Sequence, residues 1–457
     1  MASVLVQRHW RGLRRRCHRS LLAKLRGATQ PPSLAALDAH ATGGSGVAQP
    51  WLSGVYGALV AAKRRHELAQ AADIVSPVPV LSVGNFTFGA TGKTPECVAA
   101  ESVEGLAGYG DDEWRQFAAK FPNCKLAVGA DRLRIGQQRA REFGGRDALS
   151  CVVLDDGLQQ WRIRKDLEVV MVDALHPFGN GRLLPHGSLR EEPHDALARA
   201  DIVVIHHAEL LRSAKALTAL KAALLAGAAV GSETAMSVAS ASTGAGSSPA
   251  PGFSRPPPVL ATSRMRVKRV VRALDMRTRA AWDDAEDDGE LKVPGRPDKE
   301  RWRSEFEGKV ALVVCGVGNP ESVQLVVETM GCWHDVHTEA FPDHHAFSRG
   351  DLDDMAHRAA ELARTAERDV VVLTTEKDFY RSEPLLLERL AASAASAVDV
   401  RVLQCELELG ENAQRVREMV REVLDRGATY FQLRARGTRC TEVGEGSFTQ
   451  TAPDSTG

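Results

Sequence analysis

The feature that most constrains how this chain can fold is a short apolar segment that leads directly into a glycine-rich loop. The segment Val78–Val83 is of strand type, and residues 84–94 read Gly-Asn-Phe-Thr-Phe-Gly-Ala-Thr-Gly-Lys-Thr. A helix is expected after Pro95. Backbone N–H groups at the start of such a helix bind phosphate, and glycines let the backbone approach it closely. The pattern therefore predicts a nucleotide-binding strand–loop–helix unit.

The glycine-rich loop contains side chains suited to nucleotide binding. Lys93 is expected to reach the terminal phosphates of ATP, and Thr94 is expected to hold Mg²⁺. Residue 87 is Thr, where the usual phosphate-binding loop has its first glycine. The alternative is an ordinary glycine-rich turn between a strand and a helix. The residues assigned to nucleotide binding are Asn85, Thr87, Gly89, Ala90, Thr91, Gly92, Lys93 and Thr94.

Further apolar runs along the chain predict a parallel sheet. They lie at 124–128, 151–154, 168–172, 201–205, 310–315 and 369–374. Runs that are apolar on both faces suit buried parallel strands with helices between them. The chain has 457 residues, which suggests more than one domain. The predicted fold is α/β, with a P-loop NTPase-like parallel-sheet domain followed by a second, smaller α/β domain.

Changes in composition set the expected domain boundaries. Residues 231–258 consist largely of Ser, Gly, Ala and Pro, and residues 279–305 are strongly charged, as is typical of linkers. The predicted organisation is a targeting segment and spacer at 1–48, a P-loop domain at 50–230, a linker or low-complexity insertion at 231–305, a second α/β domain at 306–424 and a disordered tail at 425–457.

The first residues of the chain are basic. Residues 1–37 contain seven Arg and one Lys, and the first acidic residue is Asp38. This pattern is typical of an organellar transit peptide, and we expect a mitochondrial protein, peripheral to the inner membrane. A plastid destination and an untargeted basic tail are the alternatives. The formal net charge of the whole chain is −1, so no nucleic-acid partner is expected, and we expect a monomer.

A helix is expected at 50–72. Its apolar face comprises Trp51, Leu52, Val55, Tyr56, Leu59 and Val60, and the basic run Lys63–His66 follows. An apolar face beside basic residues can lie on a membrane surface. It can equally pack against the domain, and the hydrophobic pattern alone does not decide between the two.

Two motifs in the first half place polar groups where phosphate chemistry could use them. Asp155 and Asp156 follow a predicted strand, where carboxylates commonly serve Mg²⁺, although Asp-Asp-Gly also forms turns. The glycine-rich stretch Phe178–Glu191 contains Arg190, which could stabilise charge on a phosphoryl group. Alternatively, Arg190 pairs with a carboxylate in a structural loop.

Two motifs in the second half carry similar possibilities. The sequence Asp343-His344-His345 can form a metal site or a general-base arrangement. The sequence Thr375–Asp378 ends a predicted strand, where ligands collect in open α/β sheets. Its alternative is a helix start with Thr375 as N-cap.

In this order and spacing, the motifs resemble the tetraacyldisaccharide 4′-kinase family. The resemblance covers about residues 56–424, and its carriers are Ser82–Asn85 with Gly92–Pro95, Val128–Arg132, Leu154–Gln159, Phe178–Gly181, Leu184–Glu191, Gly316–Pro320, Asp343–His344 and Thr375–Asp378. The resemblance implies a peripheral membrane kinase of lipid A biosynthesis. Such a kinase uses ATP and Mg²⁺ to phosphorylate the 4′-hydroxyl of a lipid-linked tetraacyldisaccharide 1-phosphate.

The resemblance also implies roles for individual residues. Asp112 matches the family's catalytic carboxylate, with Asp111 as an alternative, and His344 matches its partner. Arg190 matches a further active-site residue. Glu191 and Asn180 match positions near the substrate. The residues that would serve the metal are Thr94, Asp155 and Asp156.

The sequence departs from the family pattern at two places. Gly105–Gly110 joins almost directly to Asp111, where the family has a longer stretch with a strand and an arginine. Residue 160 is Gln, where the family has His. These departures motivate one alternative to the kinase, a non-catalytic relative that binds nucleotide or lipid. A further alternative is a P-loop NTPase that acts with a protein partner.

Overall fold

In a computed structural model of the chain, the described residues are 51–71, 78–87, 116–117, 120–121, 124–129, 131–143, 149–211, 213–242, 256–277, 304–392, 398–435, 440–443 and 447–450. Several sequence predictions fall outside them. They include the targeting segment at 1–48, the loop residues Gly89–Thr94, the helix expected after Pro95, Asp111 with Asp112, and parts of the predicted linker and tail.

The described residues form one nine-stranded sheet, in the order β2-β1-β3-β4-β5-β9-β8-β6-β7. Its strands are β1 Val80–Gly84, β2 Val152–Asp155, β3 Leu167–Asp173, β4 Ile202–His206, β5 Val259–Arg272, β6 Val310–Cys315, β7 Asp335–Ala340, β8 Val370–Thr375 and β9 Asp399–Leu409. A separate antiparallel pair comprises β10 Cys440–Val443 and β11 Ser447–Gln450.

The helices among the described residues are α1 Trp51–Ala71, α2 Arg132–Glu142, α3 Pro193–Leu197, α4 Ala214–Ser242, α5 Pro320–Thr329, α6 Arg349–Ala366, α7 Glu376–Ala392 and α8 Ala413–Ala435. Within α4, the segment Ala214–Ser232 is the one described stretch long and apolar enough to cross a membrane, with a mean hydropathy of 1.4. Its buried residues Leu224 and Ala228 belong to the core of the first half.

The α/β prediction is confirmed, and the sheet consists of two parallel halves. Strands β1 to β5 are parallel to one another, and so are β6 to β9. The halves meet where β5 pairs antiparallel with β9. Alternate residues of β3 reach opposite cores, with Val170 and Val172 on one face and Val169 and Met171 on the other. This two-sided burial explains why these strands read as continuous apolar runs.

The pairing of β5 with β9 brings the carboxyl ends of the two halves toward each other. Strand β4 pairs with β5 as far as His206 and Ser263, and from Ser263 onward β5 pairs with β9. Strand β8 pairs with β9 only as far as Leu403, which lies opposite Val270. A two-stranded ribbon of about 20 Å therefore separates the two carboxyl edges. Ligands bind at such edges in open α/β sheets, so one ligand space can be shared by both halves.

Three stretches differ from the sequence expectations. The predicted linker at 231–305 contains the end of α4 and the whole of β5. Beyond Ser263, β5 exposes Arg264 and Arg266, which pair with glutamates of β9, so its sequence looks like a charged surface. Residues 124–129 form no strand, and only Leu126 packs against a core.

The end of the chain is also more regular than expected. Residues beyond 425, predicted to be disordered, begin inside α8. Earlier in that helix, Val416 and Val423 are buried in the core of the first half. The chain therefore returns from the second half to complete the first.

A buried polar cluster connects the two halves, and it includes residues that follow or end strands at their carboxyl edges. Asn319 Nδ2, at the start of α5, donates to Asp173 Oδ2 at the end of β3 over 2.7 Å. Burial opposes ionisation of Asp173, but hydrogen bonds from His207, from the Leu175 backbone and from Asn319 lower its pKa overall. A buried carboxylate with partners on both oxygens fixes the relative position of the elements that supply them.

His206 makes this cluster sensitive to acid. It is 1% exposed, its Nδ1 lies 2.9 Å from Ser263 Oγ, and burial, with the adjacent His207, lowers its pKa to about 3. Below its ordinary pKa of 6.5, the unfolded chain binds a proton at His206 that the folded chain does not. Stability is therefore lost as pH falls from 6.5 toward 3, by up to about 1.4 kcal/mol per pH unit from this residue.

We expect His206→Asn to reduce this slope. Denaturant unfolding between pH 7 and pH 4 should show wild type losing stability more steeply than the variant, by the equivalent of about one proton. Equal slopes for the two proteins would contradict the assignment of a neutral, buried His206.

Candidate functional site

The glycine-rich loop is closely packed where it leaves strand β1. A Cβ atom on Gly84 would lie 2.7 Å from the backbone nitrogen of Leu158, a fully buried residue. Asn85 is also fully buried. The Phe86 carbonyl oxygen accepts a hydrogen bond from the backbone N–H of Arg190 over 2.8 Å, and Thr87 forms an isolated bridge with Leu189. The stretch that precedes Glu191 therefore holds the entrance of the loop.

The acidic pair lies on a turn that a neighbouring arginine shapes. Strand β2 ends at Asp155, and Asp156 has a φ of 50°. Arg132 Nη1 donates to the backbone oxygens of Asp155 and Asp156 over 2.5 and 2.9 Å. In the sequence, Arg132 is only the last residue of the motif Val128–Arg132. No local sequence pattern predicts its contact with residues 23 and 24 positions further along the chain. The structure gives it the role of fixing this turn.

Arg190 is bound to Asp156. Its Nη1 donates to both carboxylate oxygens of Asp156 over 2.7 Å and to Gln159 Oε1 over 3.3 Å. The structural alternative, in which Arg190 pairs with a carboxylate, therefore describes this state. A guanidinium carries five N–H donors, so the same group can also meet a phosphoryl oxygen.

Glu191 is buried rather than open to a substrate. Its side chain is 1% exposed, and Arg199 Nη2 donates to both of its oxygens over 3.0 and 2.9 Å. Gln159 Nε2 donates to Glu191 Oε1 over 2.9 Å and to the Asn85 carbonyl over 3.0 Å. This geometry does not favour direct substrate contact by Glu191. It makes Glu191 a brace between the Arg190 stretch and the loop entrance.

Among the described residues, Asn180 forms hydrogen bonds only within its own loop, six or fewer residues away. It is exposed, its Nδ2 donates to the His186 carbonyl over 3.0 Å, and its Oδ1 accepts from the Arg182 backbone N–H over 3.2 Å. Both bonds shape the turn before Leu183. The assignment of Asn180 to substrate binding stays a prediction.

Helix α1 packs on the same stretch. Tyr56 Oη donates to the Arg190 carbonyl over 3.0 Å, and Ser53 Oγ donates to the Leu183 carbonyl over 2.9 Å. Arg64 Nη1 lies 2.5 Å from Asp195 Oδ2. One side of α1 thus lies against the candidate site. Its other side exposes Leu52, Val55 and Leu59.

The second half presents His344 on a constrained loop after β7. His344 has a φ of 62°, its backbone N–H donates to the Gly316 carbonyl over 3.1 Å, and its side chain is 55% exposed. The adjacent His345 instead lies with Nε2 2.9 Å from Asp351 Oδ2. Of the two histidines, His344 is the more exposed, since the side chain of His345 is 31% exposed.

The two parts of the site lie on facing edges of the sheet. Asp156 and Arg190 lie at the edge of the first half, and His344 lies at the edge of the second. A further contact joins the halves through Glu376, which is 4% exposed. Gln116 Nε2 and Lys120 Nζ donate to Glu376 Oε2 over 3.2 and 2.5 Å. Burial raises the pKa of Glu376.

The acidic pair Asp155 and Asp156 is the candidate set of ligands for Mg²⁺. Within the described ranges, no group of three His, Cys, Asp or Glu residues could hold a metal ion. Mg²⁺ commonly takes one or two carboxylates together with substrate phosphates, so the pair Asp155 and Asp156 suits it.

Gly84→Ala should disrupt this entrance. The added Cβ would press on the backbone of Leu158, and overpacking of this kind costs about 1–3 kcal/mol. Gly54→Ala on α1 is the matched control, because nothing lies within 4 Å of its Cβ position. Denaturant unfolding should show a loss for Gly84→Ala and none for Gly54→Ala. Equal stability of both variants would contradict the close approach.

A family model and a solved structure match this chain. A family model described as tetraacyldisaccharide-1-P 4′-kinase (LpxK) matches residues 49–110 and 97–425. The two matched segments overlap at residues 97–110, directly before Asp111. A solved structure of LpxK from Aquifex aeolicus in complex with ATP is 18% identical, with a TM-score of 0.44, over 82% of this chain and 97% of that chain.

Relatives match over most of the chain. A probable mitochondrial tetraacyldisaccharide 4′-kinase from Arabidopsis thaliana is 28% identical over 73% of this chain and 80% of its own length. A tetraacyldisaccharide 4′-kinase from Anaeromyxobacter dehalogenans strain 2CP-1 is 31% identical over 72% and 78%. The chain belongs to the tetraacyldisaccharide 4′-kinase family.

Proposed function

We propose that this protein transfers the γ-phosphoryl group of ATP to the 4′-hydroxyl of a lipid-linked tetraacyldisaccharide 1-phosphate, in lipid A biosynthesis. The observation that carries the proposal is the facing of two carboxyl edges. One edge bears the glycine-rich loop, Asp156 and Arg190, and the other bears His344. Family membership supplies the substrate class.

The glycine-rich loop would hold the nucleotide. Lys93 would neutralise the terminal phosphates, and Thr94 with Asp155 and Asp156 would hold Mg²⁺. Mg²⁺ held by these residues would offset the negative charge that develops on the phosphate oxygens. Arg190 is held beside Asp156, so its guanidinium is oriented before any phosphate arrives. Preorganised donors of this kind stabilise a transition state without reorganisation.

The acceptor hydroxyl needs a base. A carboxylate oriented by a histidine can accept the proton of a sugar hydroxyl as its oxygen attacks phosphorus. In this proposal Asp112 is the base and His344 orients it. The proton passes from the 4′-hydroxyl to Asp112, and the bond between the γ-phosphorus and its bridging oxygen breaks to leave ADP.

The proposal is tested by assaying purified protein with ATP, Mg²⁺ and tetraacyldisaccharide 1-phosphate. We expect 4′-phosphorylated product, and loss of a charge-stabilising lysine in Lys93→Met should lower turnover by about 100-fold or more. Lys309→Met is the control of the same type, since Lys309 directly precedes β6 and so lies at the amino end of that strand, away from the carboxyl edges, and its turnover should match wild type.

The other outcomes separate the alternatives. Nucleotide binding by folded protein without product would favour a non-catalytic relative. ATP hydrolysis that the lipid substrate does not change would favour an NTPase with a protein partner. Equal turnover in Lys93→Met and wild type would refute the assignment of the loop.

A membrane surface is the second part of the proposal. The substrate is lipid-linked, and Leu52, Val55 and Leu59 project from the outer side of α1 with 37%, 46% and 65% exposure. The basic run from Lys63 to His66 continues this helix. An exposed apolar side followed by basic residues suits a bilayer interface. The inner side of the same helix lies on the Arg190 stretch, so docking would bring the site to its substrate.

We expect Leu59→Glu to weaken binding to vesicles that contain anionic lipid, because it places a charge on the docking side. Leu68→Glu is the control. Leu68 is 43% exposed but lies nine residues on, which is half a turn round the helix from Leu59. Sedimentation with vesicles should show a loss of about 10-fold or more for Leu59→Glu only. Equal losses would assign the effect to charge rather than to this side of α1.

We also propose that the protein acts in mitochondria, at the surface of the inner membrane. The Arg-rich segment at 1–37 and the mitochondrial relative from Arabidopsis thaliana support this location. A plastid location is the alternative, and imaging of the full-length chain fused to a fluorescent protein separates the two.

A further inference from the structure

The loop that presents His344 adopts a backbone conformation that needs support. A φ of 62° lies in the left-handed region, which non-glycine residues occupy at a cost when nothing holds them there. Such conformations persist where surrounding contacts determine them, and they cluster at functional sites. Neighbouring groups must therefore hold this loop in its conformation.

Helix α7 supplies those groups. Arg381 Nη1 donates to the Gly316 carbonyl over 3.2 Å and to the His345 carbonyl over 3.3 Å. Gly316 O also accepts the backbone N–H of His344. One residue on, Ser382 Oγ accepts the backbone N–H of Phe347 over 2.9 Å. Two neighbouring residues of one helix thus hold the loop just after His344, and Arg381 also binds the Gly316 carbonyl that accepts the His344 backbone N–H.

A fully buried carboxylate fixes the arginine. Asp378 is 0% exposed, and its Oδ1 accepts from Arg381 Nη1 over 2.8 Å. Its Oδ2 accepts from Thr375 Oγ1 over 2.7 Å. A Cβ on Gly316 would lie 3.2 Å from Asp378 Oδ1 and 3.2 Å from the Pro342 carbonyl, so a side chain there would crowd both groups.

We propose that Asp378 and Arg381 are positioning residues that set the direction of His344. The motifs around Gly316, His344 and Asp378 then form one unit, in which the buried ion pair holds the backbone from which His344 projects. Neither Asp378 nor Arg381 need touch a substrate. The inference deepens the proposed function, since it concerns the same site.

The consequence for the reaction is geometric. A histidine that orients a catalytic base must hold its ring within a fraction of an ångström, because a misplacement of about 1 Å can cost about 100-fold in rate. Removal of Arg381 leaves the Gly316 and His345 carbonyls without this donor and frees the loop to relax from its left-handed conformation. Substrate binding should change little, whereas turnover should fall.

The test is a double-mutant cycle on kcat. We expect Arg381→Gln to lower kcat by about 10- to 100-fold with the KM for ATP unchanged, and to cause no further loss in a His344→Ala background. Losses that multiply would show that Arg381 acts independently of His344 and would overturn the proposal. Arg368→Gln is the matched control, because Arg368 Nη1 donates to the Gly308 carbonyl over 3.1 Å away from this loop.

A second readout does not depend on activity. The ring resonances of His344 should shift in Arg381→Gln, and its backbone amide should exchange faster with solvent, whereas the exposed His334 in the same half should not change. If this readout changes as expected in a chain that makes no product, the positioning role stands and the proposed function fails. If neither His344 signal changes, the positioning role fails.

A variant that leaves Asp378 unpaired could unfold. The double variant Asp378→Asn/Arg381→Gln removes both charges and retains a hydrogen-bonding pair, so it guards against that outcome. We expect it to fold, as judged by circular dichroism, and to show the same altered His344 resonances as Arg381→Gln. Wild-type resonances in this folded variant would also overturn the proposal.

Discussion

The antiparallel pairing of β5 with β9 is the interaction on which the rest of this structure depends. Each half alone is a parallel sheet with helices on its faces, and each alone would present its carboxyl edge to solvent. Because the joining strands run in opposite directions, the two edges face each other along the ribbon. Asn319 and Asp173 then close the junction with a buried hydrogen bond. A parallel joint would have placed both edges on one side, with no shared space between them.

Within the first half, ion pairs connect the parts of the candidate site. Asp156 binds Arg190 in a partly exposed pair, and Arg199 binds Glu191, which is 1% exposed. Removing a partner of a buried carboxylate such as Glu191 is costly, because it leaves a buried charge with less compensation. The same pairs link the loop entrance, the acidic turn and α1, so a change in one reaches the others. This rigidity suits a site whose chemistry consists mainly of positioning and charge stabilisation.

Much of the fold could be predicted from the sequence, and the failures have physical causes. Strands β3, β4, β6 and β8 were predicted because they are buried on both faces and therefore apolar throughout. Strand β7, with the sequence Asp-Val-His-Thr-Glu-Ala, lies at the sheet edge and gave no such signal. Strand β5 was missed because its second part has one face in solvent, where arginines pair with glutamates across the strands.

The site could be predicted in its residue types but not in its contacts. Asp155, Asp156 and Arg190 could be predicted as site residues, because acidic and basic groups near strand ends suit phosphate chemistry. Their mutual pairing depends on which distant segments meet, and no local pattern encodes that. Arg381 illustrates the limit: in sequence it is one arginine among many on an amphipathic helix. Only the fold shows that it reaches the carbonyl of His345 and the carbonyl of Gly316, which accepts the His344 backbone N–H.

Helix α8 has a consequence for the order in which the chain can fold during synthesis. Val416 and Val423 complete a core whose other members, such as Leu81 and Val169, were synthesised hundreds of residues earlier. The first half therefore exposes an apolar sheet face on the ribosome until almost the whole chain has emerged. A chain built in this way stays incompletely folded for most of its translation, and its early strands need protection from aggregation during that time.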